Sequence, residues 1–441
     1  MKRHLCSRFV IGLTVLSTAV LPGCGGGSSS GSPGGLPSTS GNEPEISNLQ
    51  YPPAYVALNS GGGSATIAGS IDFADPDGDP ATFTIEIYDS GDILLASDDY
   101  PLPDLDGEAS GTAEVSFAIP TDAEGVFTFQ VFLTDETALD SNSLTGTFTV
   151  VEGDQWIWIS GSDIWHQIGA YGIKGTPSPA NSPGARNGAA SWIDSSGSLW
   201  LFGGTGRDSD AVYGRINDLW KFDGTEWAWI SGGDVCFQPG VYGDQGEAAP
   251  ANVPGARQYS ASWIDSSGNL WLFGGGGYDS AGDQGNLNDL WKFDGTSWTW
   301  ISGSDVINQP GVYGTKGVSD QANVPGARAQ AASWIDSSGN LWLFGGTGYD
   351  SAVAGIGQLN DLWKFDGTSW TWISGSDVIN QPGVYGTKGV SDQANVPGAR
   401  FVAASSIDSN GNLWLFGGQG YDSYESSGRL NDLWLYVPAP D

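Results

Sequence analysis

Two sets of side chains in this chain have the types and spacing to do chemistry. In Asp75-Pro76-Asp77-Gly78-Asp79 three carboxylates stand at alternate positions, and Glu86 follows eleven residues after the first. These offsets match positions one, three, five and twelve of a calcium-binding loop. Pro80 stands where that loop needs glycine, however, and Thr82–Tyr88 is patterned as a strand. Two readings therefore stand: a turn at a sheet edge that binds calcium through Asp75, Asp77 and Asp79, or a plain acidic turn, since Asp and Gly are good turn formers. From Glu43 to Asp154 there are 22 acids and no Lys or Arg, and a bound divalent cation would relieve that self-repulsion.

The second set is basic and aromatic. Arg186, Arg257, Arg328 and Arg400 each close a Pro-Gly-Ala-Arg step, at intervals of 71, 71 and 72 residues. Either they ring a common mouth as binding residues, or each guanidinium donates to loop carbonyls or a nearby aspartate. Trp165 and His166 form the most individual pair, since the equivalent positions are Cys236-Phe237, Ile307-Asn308 and Ile379-Asn380. The pair is a candidate binding spot; as a general base His166 would be an exposed loop histidine, and most of those are inert. Asp208, Asp279, Asp350 and Asp422 recur in the same loops and read as turn caps.

The elements that carry these residues follow from the rest of the chain. With 50 acids against 16 bases and a net charge of -34, the field repels polyanions, so nucleic acid is not an expected partner. Lys2, Arg3 and Arg8 precede an apolar run, Phe9 to Leu21, that is too short to span a bilayer. Leu21-Pro22-Gly23-Cys24 then resembles the lipobox of bacterial lipoproteins, which implies cleavage before Cys24 and a lipid on that residue. An ordinary secretory signal with an incidental cysteine is the alternative. Residues 24–42 are a Gly/Ser-rich tether. The expected location is the cell envelope, held by the lipid alone, and the outer membrane or cell surface if the cell is Gram-negative. Loss of residues 1–23 takes the charge to -37 and leaves Cys236 as the one free thiol and His166 as the one histidine. Neither a disulfide, a histidine zinc site nor a thiolate cluster can then form.

Residues 43–153 alternate in short runs, Ala65–Ile71, Ala81–Tyr88, Ala113–Ile119, Val126–Thr134 and Leu144–Val151, between Gly, Asp and Pro clusters. That pattern predicts a small β-sandwich. It resembles the immunoglobulin-like modules of bacterial surface proteins.

Residues 154–441 repeat four times, from the Pro-Gly-Ala-Arg step through Trp-Leu-Phe-Gly-Gly and Asn-Asp-Leu-Trp to Trp-x-Trp-Ile-Ser. The second copy splits into strands Arg257–Ile264, Asn269–Phe273, Asp289–Phe293 and Trp298–Ile301, and four antiparallel strands per repeat make a propeller blade. The double glycines Gly203-Gly204, Gly274-Gly275, Gly345-Gly346 and Gly417-Gly418, followed by an aromatic third strand and a Trp-bearing fourth, resemble kelch and galactose-oxidase-like propellers. The expected fold is all-β: a four-bladed kelch-type propeller after an immunoglobulin-like sandwich. The last copy stops at Leu433-Trp434-Leu435-Tyr436, whereas Trp156-Ile157-Trp158-Ile159 precedes the first arginine. Residues 156–159 therefore supply the last blade's missing strand and close the ring, with a larger ring shared between two chains as the alternative.

Every tryptophan but Trp165 falls at a fixed step, which assigns nearly all of them to packing between blades. The long connections, Thr205–Ile216 within blades and Gly161–Ala185 between them, lie on one face, where binding usually sits. Galactose-oxidase chemistry needs copper held by histidines and tyrosines, which one histidine cannot supply. Leu287–Arg328 and Leu359–Arg400 are identical, so two loops present the same surface, which suits repeated contact better than one catalytic centre. The expectation is a monomeric binding protein for proteins or glycans, with no cofactor other than calcium. The alternative is a metal-independent sugar isomerase resembling the kelch-type sialic acid epimerases, which would use arginine and carboxylate groups.

Overall fold

The computed structural model describes residues 42–439 apart from 52–53, 60–63, 77, 103–108, 122 and 353–354. The targeting segment, Cys24 and Asp77 lie outside the described residues. Among those residues every regular element is a strand, and the chain divides into two units between Ile159 and Ser160.

The first unit has eight strands: β1 (Glu45–Gln50), β2 (Ala54–Ala57), β3 (Ser64–Ala74), β4 (Pro80–Tyr88), β5 (Leu94–Pro101), β6 (Ser110–Pro120), β7 (Gly125–Asp135) and β8 (Leu144–Val151). They form two sheets, β1-β3-β6 and β2-β8-β7-β4-β5, antiparallel except for the parallel β2–β8 pair. Alternation puts Phe83, Ile85 and Ile87 of one sheet and Ile67, Phe117 and Ile119 of the other into a single core. The five predicted runs are β3, β4, β6, β7 and β8. β5, an edge strand reading LLASDDYP, buries only Tyr100 and so carries no alternation to read.

In the second unit repeats 2 and 3 each build one sheet and the strands of repeats 1 and 4 divide into two sheets each; the four repeats are termed blades 1 to 4. First strands are Ala190–Ile193, Ala261–Ile264, Ala332–Ile335 and Ala404–Ile407. Second strands start at Leu199, Leu270, Leu341 and Leu413; third strands end at Phe222, Phe293, Phe365 and Tyr436. Trp227–Ser231, Trp298–Ser302 and Trp370–Ser374 are the fourth strands of blades 1 to 3. The double glycine does not end the second strand of blade 2. Gly274 and Gly275, at φ 59° and 98°, make a bulge, and Leu270–Tyr278 continues as a ribbon paired with Gln284–Phe293. The expected within-blade loop is thus mostly a hairpin extension, turned at Asp279. Glycine is required at the bulge, because a Cβ on Gly274 would stand 2.7 Å from the Leu287 carbonyl and 2.8 Å from that of Arg328.

Successive blades stack face to face. The trailing face of blade 1 (Trp192, Trp200, Phe202, Leu219) buries the leading face of blade 2 (Leu270, Leu272, Phe293, Trp298), and the same positions join blades 2 to 3. Blade 4 docks on blade 3 through Leu413 and Leu415. Trp192, Trp200, Trp263, Trp271, Trp298 and Trp370 sit in these seams as their fixed spacing predicts, whereas Trp156 and Trp158 are exposed.

The closing strand differs from expectation. Trp156–Ile159 form no strand and are exposed, so Leu433–Tyr436 ends blade 4 without a fourth strand among the described residues. Among the described residues no core cluster joins blade 4 to blade 1.

Candidate binding surface

The motif arginines come first, because their positions decide whether they can touch a ligand. Arg257 starts its blade beside the bulge and points inward, with 1% of its side chain exposed. Its fork is bidentate on Asp289, Nη1 to Oδ1 at 2.7 Å and Nη2 to Oδ2 at 2.7 Å, while Nε donates to Gly255 O and Nη1 also to Gly274 O. Asp289 Oδ2 further accepts from the Tyr242 hydroxyl at 2.6 Å and Trp291 Nε1 at 2.7 Å. Every charge in the group is paired and hydrogen-bonded, which a buried ion pair requires. Arg186–Asp218–Tyr171–Trp220, Arg328–Asp361–Tyr313–Trp363 and Arg400–Asp432–Tyr385–Trp434 repeat it. Arg186, Arg257, Arg328 and Arg400 therefore do not ring an accessible mouth. They are clamps that tie the start of each blade to its own third strand and to the loop before it.

The electrostatics agree with a structural role. Burial would lower the Arg257 guanidinium, but the Asp289 charge and hydrogen bonds outweigh it and raise it. Burial, then the Asp289 charge, pushes the Tyr242 hydroxyl far above its ordinary value, so it holds its proton at neutral pH. The tyrosines are clamp members that the arginine motif alone does not reveal. A signal for them exists, since Tyr171-Gly172, Tyr242-Gly243, Tyr313-Gly314 and Tyr385-Gly386 each stand at one fixed distance before the arginine.

The Asp residues of the hairpin tips are turn caps. Asp208 Oδ1 accepts from the Asp210 and Val212 amides, and Oδ2 accepts from the amide of Cys236 in the following loop. Ile307 and Ile379 donate to Asp279 and Asp350 in the same way. The next residue in each loop is left-handed: His166 at φ 58°, Phe237 at 67°, Asn308 at 60° and Asn380 at 61°. Asparagine suits that conformation and caps locally, Asn308 Oδ1 accepting from Asn286 and Asn380 Oδ1 from Gln358. Bulky rings are unfavourable there, yet His166 and Phe237 occupy it and face solvent.

These rings form the exposed aromatic surface of the loops. Trp165 is 78% exposed and lies 4.1 Å from the His166 ring, with Tyr213 6.5 Å beyond and Arg207 over the Tyr213 face. Phe237 meets Tyr278 edge-on at 5.8 Å. The sequence pair Trp165-His166 is thus on the surface, whereas Phe237 and Tyr213 become visible as partners only when the loops are placed. Such rings can stack on sugar faces or bury against apolar side chains of a protein.

Cys236 is buried, and its thiol is pushed up to about 12 by burial and then by Asp208, so it is a packing residue. In the sandwich, Asp75 is fully buried at the end of β3 and Asp79 half-buried. Among the described residues no group of three or more His, Cys, Asp or Glu is placed to hold a metal.

No family model matches the chain. It is 23% identical over 284 residues to a kelch repeat-containing protein of Arthroderma benhamiae, covering 61% of this chain and 40% of that relative's length. Among solved structures, that of YjhT is 14% identical at TM-score 0.30, covering 71% of this chain and 92% of that one. A fungal AA5 alcohol oxidase with copper is 11% identical at TM-score 0.28, covering 86% and 73%. What the chain shares with its relative is the kelch repeat, and the sheets this repeat builds are those of a β-propeller.

Proposed function

We propose that this chain is a binding protein of the cell envelope, carried by a lipid on Cys24 and a flexible tether. The immunoglobulin-like sandwich is a spacer, and the kelch propeller contacts a protein or glycan through the loop face that bears Trp165, His166, Tyr213 and Phe237. One observation supports the reading: where two loops place a self-capping asparagine in a left-handed position, the other two place exposed rings that cannot make that cap. Strain kept where asparagine would serve the backbone better points to use. Calcium at Asp75, Asp77 and Asp79 would act on the spacer.

The test is a glycan array and an envelope-protein pull-down with the whole chain, with and without calcium, using wild type and the double variant His166→Asn, Phe237→Asn. Asparagine already occupies this backbone in copies three and four, so the variant keeps its fold. Expected is a ligand retained by wild type and bound about tenfold more weakly by the variant, roughly 1.4 kcal/mol. No retained ligand, or equal retention by both proteins, would overturn the reading.

A further inference from the structure

The four blades leave a fourth joint half-made at each end of the series. On blade 4 the trailing face is open: Phe416 is 49% and Leu433 61% exposed, whereas their equivalents Phe273 and Leu290 are 1% and 0%. On blade 1 the leading face is open: Ile193 is 66% exposed, and Leu199, Leu201 and Phe222 are half-buried where Leu270, Leu272 and Phe293 are covered. These are the two halves of the surface that the chain already buries three times.

The polar fittings are also unmated. In formed joints a loop amide caps the tip aspartate of the preceding blade, Cys236 on Asp208, Ile307 on Asp279 and Ile379 on Asp350. The matching pair at the open ends is Trp165 and Asp422. The loop residue after it packs over a glycine: a Cβ on Gly214 would meet Phe237 at 2.2 Å and one on Gly285 would meet Asn308 at 2.5 Å. At Gly428, the equivalent, a Cβ would meet nothing within 4 Å, and its counterpart His166 stands in solvent. Along the inner edge, Tyr259 N donates to Gly188 O, Gln330 N to Tyr259 O and Val402 N to Gln330 O, one bond for each formed joint.

Finally, each Trp-x-Trp-Ile strand belongs to the blade before the one its loop enters. Trp156–Ile159 thus belongs to whichever blade precedes blade 1, and blade 4 is the one without that strand. Among the described residues no core cluster joins blade 4 to its own blade 1, and both end faces stay exposed. We propose that a second copy of this chain fills the joint: blade 1 of each copy packs on blade 4 of the other, and Trp156–Ile159 crosses to pair with Leu433–Tyr436 of the partner copy. Two copies of four blades reach the upper end of the roughly four-to-eight-blade range of closed propellers, and the two identical joints obey a twofold axis. Copy four departs from the repeat on this face, Ser406 replacing the Trp of Trp192, Trp263 and Trp334 and Leu435 replacing the Lys of Lys221, Lys292 and Lys364. The change sets this joint apart from the internal ones, so the ends pair with each other in preference to invading a finished seam.

The register of Lys292 opposite Thr299 places Ile157 opposite Leu435 in the swapped pair. Mixing chains carrying Ile157→Cys alone with chains carrying Leu435→Cys alone, under mild oxidation, is expected to give a covalent two-chain species absent from either variant by itself. Sedimentation of the unmodified whole chain is expected to show two chains per particle, reduced to one by Leu433→Asp, an exposed position whose change leaves the circular dichroism intact. A single-chain particle at all concentrations, with Ile157→Cys, Leu435→Cys in one chain cross-linking to itself, would overturn the proposal in favour of self-closure. A ladder of larger species would overturn it in favour of open filaments, and a single chain with no cross-link in either format would overturn it outright.

Discussion

Blades 2 and 4 carry the same clamp at very different cost of exposure. Around Arg257 the partner Asp289 is 0% exposed, and Trp298 and Trp300 of the fourth strand pack against the clamp's Trp291 and Tyr242. Around Arg400 the bonds are the same length, but Asp432 is 15% exposed, and among the described residues no fourth strand lies beyond Trp434. The tyrosines register the difference: Tyr385 is pushed up only to about 12, by burial first and then by its bond to Asp432, whereas Tyr242 is driven well past that. Hydrogen-bond geometry is therefore set within one repeat, whereas dielectric and packing are set by the next strand and the next blade.

The sharpest way to break this comparison is to remove the acid. Asp289→Ala leaves the Arg257 guanidinium buried without its countercharge and is expected to cost about 3–5 kcal/mol. Asp432→Ala, beside solvent, is expected to cost about 1–3 kcal/mol, since water reaches the stranded group. Chemical denaturation of both variants measures the gap, and equal losses would mean that blade 4 is as closed as blade 2.

Packing gives the next largest contrast. Phe273→Ala opens a cavity in a finished seam, where Phe273 meets Trp370 at 5.4 Å, and should cost about 3–5 kcal/mol. Phe416→Ala should cost less than about 1 kcal/mol in the dilute single chain, where half the ring is already wet. If the ends join, the Phe416→Ala penalty grows with protein concentration and that of Phe273→Ala does not.

Acid should loosen the fourth clamp in a defined window. Burial would raise the Asp432 carboxyl, but the bonds from Arg400, Trp434 and Tyr385 outweigh it and hold it at about 2. A depressed carboxyl stabilises the fold above its unfolded value near 4 and loses that contribution as pH falls toward 2. The expected loss is about 1–2 kcal/mol after screening is allowed for. Asp432→Asn should flatten this part of the stability profile, and an unchanged slope would refute the assignment.

Much of this was legible in the residues, for a physical reason. A four-fold repeat prints its register in the chain, so strand order, the tight Asp265–Gly268 turn and the burial of the tryptophans in the formed seams follow from spacing alone. The arginines were legible only as a choice between ligand contact and clamp, because sequence does not say which way a guanidinium points. Closure was not legible, because residues 156–159 name the blade type they complete and not the copy that owns it. Phe237 was hidden for a third reason: it stands on left-handed backbone that Asn308 and Asn380 share, so no residue pattern marks it, and Tyr213, in a hairpin strand, joins the surface only through the placed loops.

The smallest expected effect isolates the joint from everything else. Gly285 and Gly428 are equivalent in the repeat, and neither is left-handed, so alanine is free of backbone strain at both. At Gly285 the new methyl must displace Asn308, which caps Asn286 through Oδ1 at 2.9 Å, and a loss of about 1–3 kcal/mol follows from overpacking. At Gly428 the methyl enters open space, and removing a glycine from the unfolded ensemble should give a gain of about 0.4–1 kcal/mol in the dilute chain. Once a partner copy lays His166 over that position, the gain should turn into a penalty on association. Thermal melts of Gly428→Ala across a concentration series would show the sign reverse if the joint forms and stay constant if it does not.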